Sequence, residues 1–282
     1  MSLRVVGLNV HPVKSTAIRP VGSSAVERAG LAGDRRWMII DADGKLVSAR
    51  EVPRLFSIVA DTPETSAEVT DGLRLRSPGL ADLHLPTDAA GAEIPVRMHS
   101  NDLTGALVSA EADAWLSEAS GTTGLRLVRC TDPTRRPLKP EIQREGDHTA
   151  YADAVPVTLA SLPSLGQLND WVAEGAVERG EDLPEPLPIH RFRPNVVVDG
   201  DVTAFVEDTW STVQIGGVPF RATGPVSRCV MTTVDTDEFS KGKEPVRTLA
   251  RHRRWEGKTW FCTQLIPDGT GLVRVGDEVV PG

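Results

Sequence analysis

The chain has 282 residues, of which 40% are hydrophobic and 25% charged, a composition that is ordinary for a soluble globular protein and argues against disorder. Its 39 acidic and 31 basic side chains give a net charge of −8, so a nucleic-acid surface would need a local basic patch, and we expect no nucleic-acid partner. The three cysteines are widely spaced and odd in number, which argues against a disulfide framework, a zinc ribbon or an iron–sulfur cluster built within the chain.

The sequence contains no candidate membrane span. No apolar run approaches the ~18 residues that such a span needs. The amino-terminal stretch MSLRVVGLNVHPVKS also lacks a long apolar segment. We therefore expect a soluble, cytoplasmic protein with no membrane contact.

The first part of the chain is predicted to be mainly β. A strand over residues 3–10, interrupted by Gly7, ends at His11-Pro12 because proline cannot donate to a sheet ladder. Lys14 and Ser15 then lie in the loop at its exit. Residues 37–40 and 45–49 flank Asp41-Ala42-Asp43-Gly44 and predict a hairpin. Further strands are predicted over residues 56–60, 67–69, 73–75, 81–85 and 94–98.

Three helices are predicted. The first covers residues 109–120, with Ser109 as its cap and Gly121 as its stop. The second covers residues 162–174, with Ser161 as the N-cap and Pro163 in the first turn. The third covers residues 246–254, after Pro245.

Short strands and loops fill the rest of the second half. Strands are predicted at 125–129, 195–198, 260–265 and 272–280, with a hairpin over 213–221 that turns at Gly216-Gly217 and a proline-rich loop over 132–140. We place a domain boundary after the first helix, which divides the chain into residues 1–122 and 123–282. The basic residues 251–254 beside Trp255 are either a solvated helix end or a docking patch for an acidic redox partner.

Cys229 lies in the segment ATGPVSRCVMTTVD, residues 222–235. A turn-prone stretch precedes it, and residues 230–234 are predicted to be a β-type segment. The guanidinium of Arg228 beside the thiol would favour a thiolate, which makes Cys229 a candidate reactive or metal-binding sulfur. The alternative is a small buried hydrophobe at the start of a strand.

The common catalytic motifs are missing from the sequence. Its six histidines never recur at a spacing of three or four residues, so no HxxxH zinc pair exists. No GxSxG, GxGxxG or GxxxxGK[ST] string is present. What remains is one soft ligand, Cys229, with Arg, Lys, Ser and Asn side chains at strand ends. A thiolate suits a thiophilic metal, and guanidinium and ammonium groups suit a phosphate.

The chain resembles the MOSC family of molybdenum-cofactor-binding proteins, which includes the mitochondrial amidoxime-reducing component and its bacterial relatives. The resemblance is carried by the Cys229 segment and by further segments in the family's order: HPVKS at 11–15, GDRRWMIID at 33–41, SAREVPRL at 48–55, AYADAVPVTLAS at 150–161, FRPNVVV at 192–198, KEP at 243–245 and VRVGDEV at 273–279. It implies a mixed β-rich (α+β) fold, in which a MOSC β-barrel with a few helices, residues 123–282, follows an amino-terminal β-rich domain. It also implies a bound molybdenum–molybdopterin cofactor.

The resemblance assigns roles to particular residues. Cys229 matches the thiolate ligand to molybdenum, and Asp153 matches a segment that borders the metal, which makes it a candidate proton source. The remaining matches concern the organic part of the cofactor: Lys14, Ser15 and Arg35 at its phosphate, and Arg193, Asn195, Ser227 and Arg228 at its pterin. Replacing Lys14 or Arg35 is therefore expected to lower cofactor occupancy and leave the stability of the cofactor-free protein nearly unchanged. Each match also has a plain reading as a charged turn, a salt bridge or a cap.

One position and one missing module qualify the resemblance. Relatives tend to have glycine after the phenylalanine that matches Phe261, and here Cys262 occupies that place. Some bacterial relatives carry an appended ferredoxin domain, which this chain does not show, so electrons are expected from a separate electron-transfer protein, either ferredoxin-like or a haem or flavin reductase.

The resemblance favours an oxidoreductase that removes oxygen from small N-oxygenated substrates such as hydroxylamines or amidoximes. Two alternatives remain. In the first, Cys229 carries a persulfide and the protein is a sulfur carrier or transferase. In the second, the protein stores or delivers the molybdenum cofactor without catalysis.

Overall fold

A computed structural model describes residues 2–89 and 91–282, and these residues form 19 strands and three α-helices. The β-rich fold class predicted from the sequence is thereby confirmed. The helices are α1 (Ala110–Ser120), α2 (Leu162–Glu178) and α3 (Val246–His252). The strands are β1 (Arg4–Val10), β2 (Arg19–Val21), β3 (Ser23–Glu27), β4 (Gly30–Leu31), β5 (Trp37–Ile40), β6 (Val59–Asp61), β7 (Leu73–Arg76), β8 (Leu83–Leu85), β9 (Glu93–Met98), β10 (Asn101–Leu107), β11 (Arg126–Arg129), β12 (Val157–Ser161), β13 (Val196–Asp199), β14 (Thr212–Ile215), β15 (Val218–Arg228), β16 (Arg254–Trp255), β17 (Lys258–Pro267), β18 (Gly271–Arg274) and β19 (Val279–Pro281).

The largest sheet has nine strands, in the order β19-β14-β15-β17-β12-β13-β1-β2, with β16 paired to β17. A four-stranded sheet has the order β5-β11-β10-β9, and two three-stranded sheets have the orders β18-β3-β4 and β6-β7-β8. Strand β1 from the start of the chain pairs with β13, while β11, after the predicted domain boundary, pairs with β5. The boundary after residue 122 remains a prediction.

Two buried clusters form most of the core. One packs the nine-stranded sheet against the β18-β3-β4 sheet and includes Val10, Leu159 and Phe220. The other packs α1 against β5, β7 and β11 and includes Leu116 and Leu127. Full burial of such side chains contributes about 1.5–3 kcal/mol each. The strands are therefore a rigid frame from which the connecting loops project.

The helix predictions hold, with changes at the ends. Ser109 Oγ accepts a hydrogen bond from Ala112 N at 3.1 Å, and Gly121 ends α1 with a left-handed φ of 69°. Helix α2 extends to Glu178, beyond the predicted end at residue 174. Ser161 precedes α2 but its hydroxyl caps no N–H, and Pro163 at the second helical position removes one of the two N–H groups that could donate to it.

Helix α3 ends at His252, two residues before its predicted end, because Arg254 is drawn into a pair with Thr259 of β17. The basic residues 251–254 are engaged in different ways. Arg251 binds Glu178, His252 stacks on Trp171 at 4.4 Å, and Arg253 packs over Phe205 at 4.0 Å. Most of this cluster is therefore used within the fold, and a docking role for it stays a prediction.

Several strand predictions are wrong in detail. Residues 56–60 were expected to be a strand, but Pro53–Ser57 forms a 3₁₀ helix and β6 begins only at Val59, because proline favours the first turn of a helix. Residues 67–69 lie in a turn closed by Val69 N donating to Ser66 O at 3.1 Å. Residues 45–49 follow the predicted turn after Asp41 but form only a single bridge to β5, between Ile40 and Leu46. Strand β10 was not predicted.

No helix formed by residues 2–89 and 91–282 combines the length and apolar composition that crossing a bilayer requires.

Candidate active site

A cavity of about 380 Å³ brings together eight of the nine residues that the sequence singled out. They come from loops that follow β1 and β4 or precede β12 and β13, and from the carboxyl end of β15, which lie far apart in sequence. The eight lining residues are Lys14, Ser15, Arg35, Asp153, Arg193, Ser227, Arg228 and Cys229. The ninth, Asn195, lies directly behind Arg35, and its Oδ1 accepts a hydrogen bond from Arg35 Nη1 at 3.1 Å.

Backbone hydrogen bonds join these loops. Arg35 N donates to His11 O at 2.7 Å, and Arg35 O accepts from Tyr151 N at 3.1 Å. Lys14 N donates to Trp37 O at 2.9 Å. Three segments of the resemblance are therefore held in one fixed arrangement around the cavity.

Cys229 lies at the end of β15, at the N-cap position of a 3₁₀ helix, Val230–Thr233. Two local predictions are therefore wrong: the stretch before Cys229 is strand and the stretch after it is helical. Bulges between Ala222 and Ser227 let β15 pass Gly224, which has a φ of 99°, without leaving its pairing with β17. The Cys229 carbonyl accepts from Thr232 N and Oγ1, at 3.1 and 2.9 Å. The thiol is half-buried in the cavity wall, whereas those of Cys130 and Cys262 are buried.

Arg35 is held by an inner layer of buried polar groups. Its Nη1 contacts Asp34 Oδ2, and Asp34 Oδ1 accepts from the backbone N of His11 at 2.7 Å and lies 3.1 Å from His11 Nδ1. Burial, together with the charges of Arg35 and Arg193, lowers the pKa of His11 to about 3. Burial would raise the pKa of Asp34, but the charge of Arg35 and the bonds from His11 outweigh it and lower this pKa to about 2. The pair is therefore a neutral imidazole beside a carboxylate.

This pair predicts a loss of stability in acid. In the folded protein the pKa of His11 is about 3, whereas in the unfolded chain it has its ordinary value of 6.5. Between pH 6.5 and pH 3 the unfolded state therefore binds more protons than the folded state. The free energy of unfolding falls as the pH falls through this range. Asp34 adds to the loss as pH falls from its ordinary 3.8 towards 2. We expect a slope of up to about 1.4 kcal/mol per pH unit from His11 in urea unfolding between pH 6.5 and 5. The variant His11→Asn keeps a hydrogen-bond donor near Asp34 but has no group that titrates in this range, so it should flatten the slope. An unchanged slope would contradict the assignment of this pH dependence to His11.

Lys14, Asp153 and His99 form a second group at the cavity. Lys14 Nζ donates to Asp153 Oδ1 at 2.7 Å and to Tyr151 O at 2.8 Å, and His99 Nε2 lies 3.0 Å from the same carboxylate oxygen. Burial lowers the pKa of Lys14, with Asp153 opposing the shift. Burial would raise the pKa of Asp153, but Lys14 and His99 outweigh it and hold this pKa well below its usual range. Asp153 is therefore ionised at neutral pH.

The backbone around the cavity is unusual. Ser15, Arg35, His99 and Arg193 have φ values of 68°, 50°, 55° and 52°, in the left-handed region that disfavours side chains other than glycine, and all four line the cavity. Such conformations cost roughly 1–3 kcal/mol each and cluster at functional sites. The concentration of strained residues supports a functional role for this cavity.

Two guanidinium groups retain open donors. Arg228 is fixed by hydrogen bonds from Nε to Phe261 O at 2.8 Å and from Nη1 to Phe192 O at 3.1 Å. Arg193 packs over the ring of Phe56 at 5.3 Å. Arg228 Nη2 and Arg193 Nη1 are buried and have no hydrogen-bond partner in the described chain. Because an unpaired buried donor is costly, both suit an anionic or carbonyl-bearing ligand. This donor set, with a thiol in the same cavity, fits a molybdopterin cofactor.

Sequence reasoning missed several contributors. Arg136, from the loop at 132–140, donates to the carbonyl oxygens of Ala150, Ala152 and Asp153 and so shapes the segment that carries Asp153. His99 was missed because β10 was not predicted and the turn before it was therefore not located. Arg50 and Lys139 also line the cavity. Arg50 lies within the resembling segment at 48–55, which could have indicated it.

Cys262 has a structural explanation. Its φ of 69° lies in the left-handed region, which favours glycine. It packs with Phe192 and Phe261 in a buried cluster, and burial, opposed by Arg228, raises the pKa of its thiol to about 12. Cys262 is therefore a neutral core thiol.

Comparison with known proteins identifies the family. The MOSC N-terminal beta barrel domain matches residues 2–123, and the MOSC domain matches residues 146–280. Mitochondrial amidoxime-reducing component 1 from Homo sapiens is 30% identical over 98% of this chain and 82% of its own length. Mitochondrial amidoxime-reducing component 1 from Danio rerio is 32% identical over 98% of this chain and 83% of its own. Mitochondrial amidoxime reducing component 2 from Bos taurus is 33% identical over 96% of this chain and 80% of its own length. The chain therefore belongs to the MOSC-domain family that includes the mitochondrial amidoxime-reducing components.

Proposed function

We propose that the protein is a molybdenum-cofactor-dependent oxidoreductase that reduces N-oxygenated compounds, with Cys229 as the protein ligand to the metal. The observation that carries this proposal is the shared cavity, in which the half-buried thiol of Cys229 lies with the open donors of Arg193 and Arg228 and with the cations Lys14 and Arg35. Family membership supports it, because the names of the relatives describe amidoxime reduction.

Each residue has a distinct task in this proposal. Lys14, Ser15 and Arg35 bind the cofactor's phosphate, and Arg193, Ser227 and Arg228 bind its pterin. Asn195, which the resemblance assigned to the pterin, is used within the fold: its Nδ2 donates to Asn9 O at 3.1 Å and its Oδ1 faces Arg35. We assign Asn195 to the positioning of Arg35.

When bound, the cofactor supplies two-electron chemistry at an N–O bond. The overall reaction converts R–NHOH, two electrons and two protons into R–NH₂ and water. A separate electron-transfer protein provides the electrons. The relatives are named as mitochondrial, whereas a cytoplasmic location for this chain stays a prediction.

We propose that protons pass through His99 and Asp153. Asp153 is ionised, so it must first accept a proton before it can donate one. His99 Nε2 lies 3.0 Å from its carboxylate, and the side chain of His99 reaches solvent, being 35% exposed. An imidazole ring can pass a proton between solvent and a carboxylate. Asp153→Asn and His99→Gln should each lower turnover about tenfold or more at unchanged pterin content. Full turnover in both variants would reject this route.

The direct test of the proposal is composition. Protein purified from a host that makes the cofactor should contain about one molybdenum and one pterin per chain, measured by metal analysis and by the fluorescence of the oxidised pterin. Protein that is folded but lacks both would overturn the reductase and the storage functions, and would leave the sulfur carrier.

A further inference from the structure

The cavity carries positive charge beyond the proposed cofactor ligands. Arg50, Lys139 and Arg191 also line it, and Arg191 is neutralised by Asp235 at 2.8 Å. Arg50 and Lys139, which we call the mouth pair, have no ion pair and no side-chain hydrogen bond in the described chain. Lys139 is exposed, and Arg50 is half-buried with its Nε shielded from solvent. The mouth pair is therefore available to a ligand.

The backbone holds the mouth pair in place. Arg50 N donates to Ser48 Oγ at 3.3 Å, and Arg50 O accepts from Lys241 Nζ at 2.7 Å. Lys139 O accepts from the backbone N of residues 142 and 143, at 3.1 and 3.0 Å. Each cation thus projects from a fixed turn while its charged end remains unbound.

Little negative charge lies in the cavity itself. Asp153 is the one carboxylate among the described lining residues, and Lys14 and His99 already bind it. Glu51, next to Arg50 in sequence, lies outside this cavity, and its carboxylate accepts hydrogen bonds from the N and Oγ of Ser48 at 2.9 and 2.6 Å. Its charge partly offsets that of Arg50. A second cavity of about 200 Å³ adjoins the first, because Arg50 and His99 line both. Arg50 therefore lies where the two cavities meet.

We infer that the substrate carries an anionic group, a carboxylate or phosphate, several bonds away from its N–O group, and that Arg50 and Lys139 bind this anion. The inference rests on the proposed reductase function. A guanidinium binds a carboxylate or phosphate through two parallel hydrogen bonds, and the ammonium adds a point charge. Since Lys139 is exposed and Arg50 is half-buried, we expect an advantage of about tenfold over a neutral substrate.

The test compares substrates that differ only in the remote group. Benzamidoxime, 4-carboxybenzamidoxime and the phosphate ester of 4-hydroxybenzamidoxime are assayed with an artificial electron donor on cofactor-loaded protein. We expect kcat/KM to be about tenfold higher for an anionic compound than for benzamidoxime. The anionic compound with the higher kcat/KM shows whether the site prefers a carboxylate or a phosphate. The ratio should fall towards one in Arg50→Gln and Lys139→Gln and with rising salt. Arg54→Gln removes an exposed charge outside the cavity and should leave the ratio unchanged.

Binding supplies a readout that does not depend on turnover. Calorimetry on the same protein, with its pterin content measured, should show tighter binding of 4-carboxybenzamide than of benzamide, and Arg50→Gln should abolish the difference. Equal kcat/KM for neutral and anionic substrates would overturn this inference and leave the reductase proposal standing. No turnover of any substrate by loaded protein would overturn both. Variants that raise KM for the protein electron donor, with the substrate ratio intact, would instead assign the mouth pair to partner docking and overturn the inference.

Discussion

Cys229→Ser should abolish reduction of N-hydroxy compounds while the protein keeps its fold and its pterin. The serine hydroxyl is nearly the same size as the thiol but is a hard, weakly acidic oxygen, so the soft ligand is lost. The pterin and phosphate contacts from Lys14, Arg35 and Arg193 are unaffected. We expect wild-type pterin content, an unfolding midpoint close to that of the wild type, and activity reduced at least a hundredfold with an artificial electron donor.

The other cysteines are matched controls for this variant. Cys130→Ser and Cys262→Ser should retain activity, because both thiols are buried.

The Cys229→Ser variant also separates the reductase from the two alternative functions. A sulfur carrier would form a cyanide-releasable persulfide in the wild type and lose it in Cys229→Ser. A storage protein would bind pterin in both forms and turn over in neither. Full reductase activity in Cys229→Ser would overturn the assignment of the metal ligand.

Lys14→Ala should lower cofactor occupancy about tenfold or more, with a change below about 1 kcal/mol in the stability of the cofactor-free protein. A charge-assisted bond to the phosphate contributes about 1.5–3 kcal/mol and exists only when the ligand is bound. The Asp153 side chain is 52% exposed, so water and His99 still solvate and bind its carboxylate when the ammonium group of Lys14 is removed. Pterin content after purification and urea unfolding of the cofactor-free protein measure the two effects.

Arg35→Ala should behave differently, although the sequence suggested the same outcome for both residues. The guanidinium of Arg35 neutralises Asp34, whose side chain is 2% exposed, and hydrogen-bonds Asn195. Its removal leaves a buried carboxylate beside a neutral imidazole, which costs about 3–5 kcal/mol. Occupancy and cofactor-free stability should therefore fall together, whereas Arg54→Ala, at an exposed position, should change neither. Equal stability losses in Lys14→Ala and Arg35→Ala would show that Lys14 is also structural.

The sequence alone determined the features that depend on neighbouring residues. Ser109 and Gly121 marked the ends of α1 because a cap and a left-handed stop are local requirements. The Gly216-Gly217 turn fixed the hairpin between β14 and β15 for the same reason. The candidate site residues also came from the sequence, since their chemical types and their resemblance to a known family are visible without coordinates.

Tertiary structure decided the features that depend on distant partners. Residues 230–234 have β propensity, yet Val230–Thr233 is helical. Ser15 Oγ lies 3.9 Å from Met231 Sδ, and Val234 packs with Ala49 and Phe56, so partners far away in sequence hold this segment. The ionised state of Asp153 follows from contacts with Lys14 and His99, which lie 139 and 54 residues away. Arg35 is needed for stability because it neutralises the carboxylate of Asp34, which is buried. Charge states and positions of this kind depend on strand register and on exclusion of water, and no local pattern in the chain encodes either.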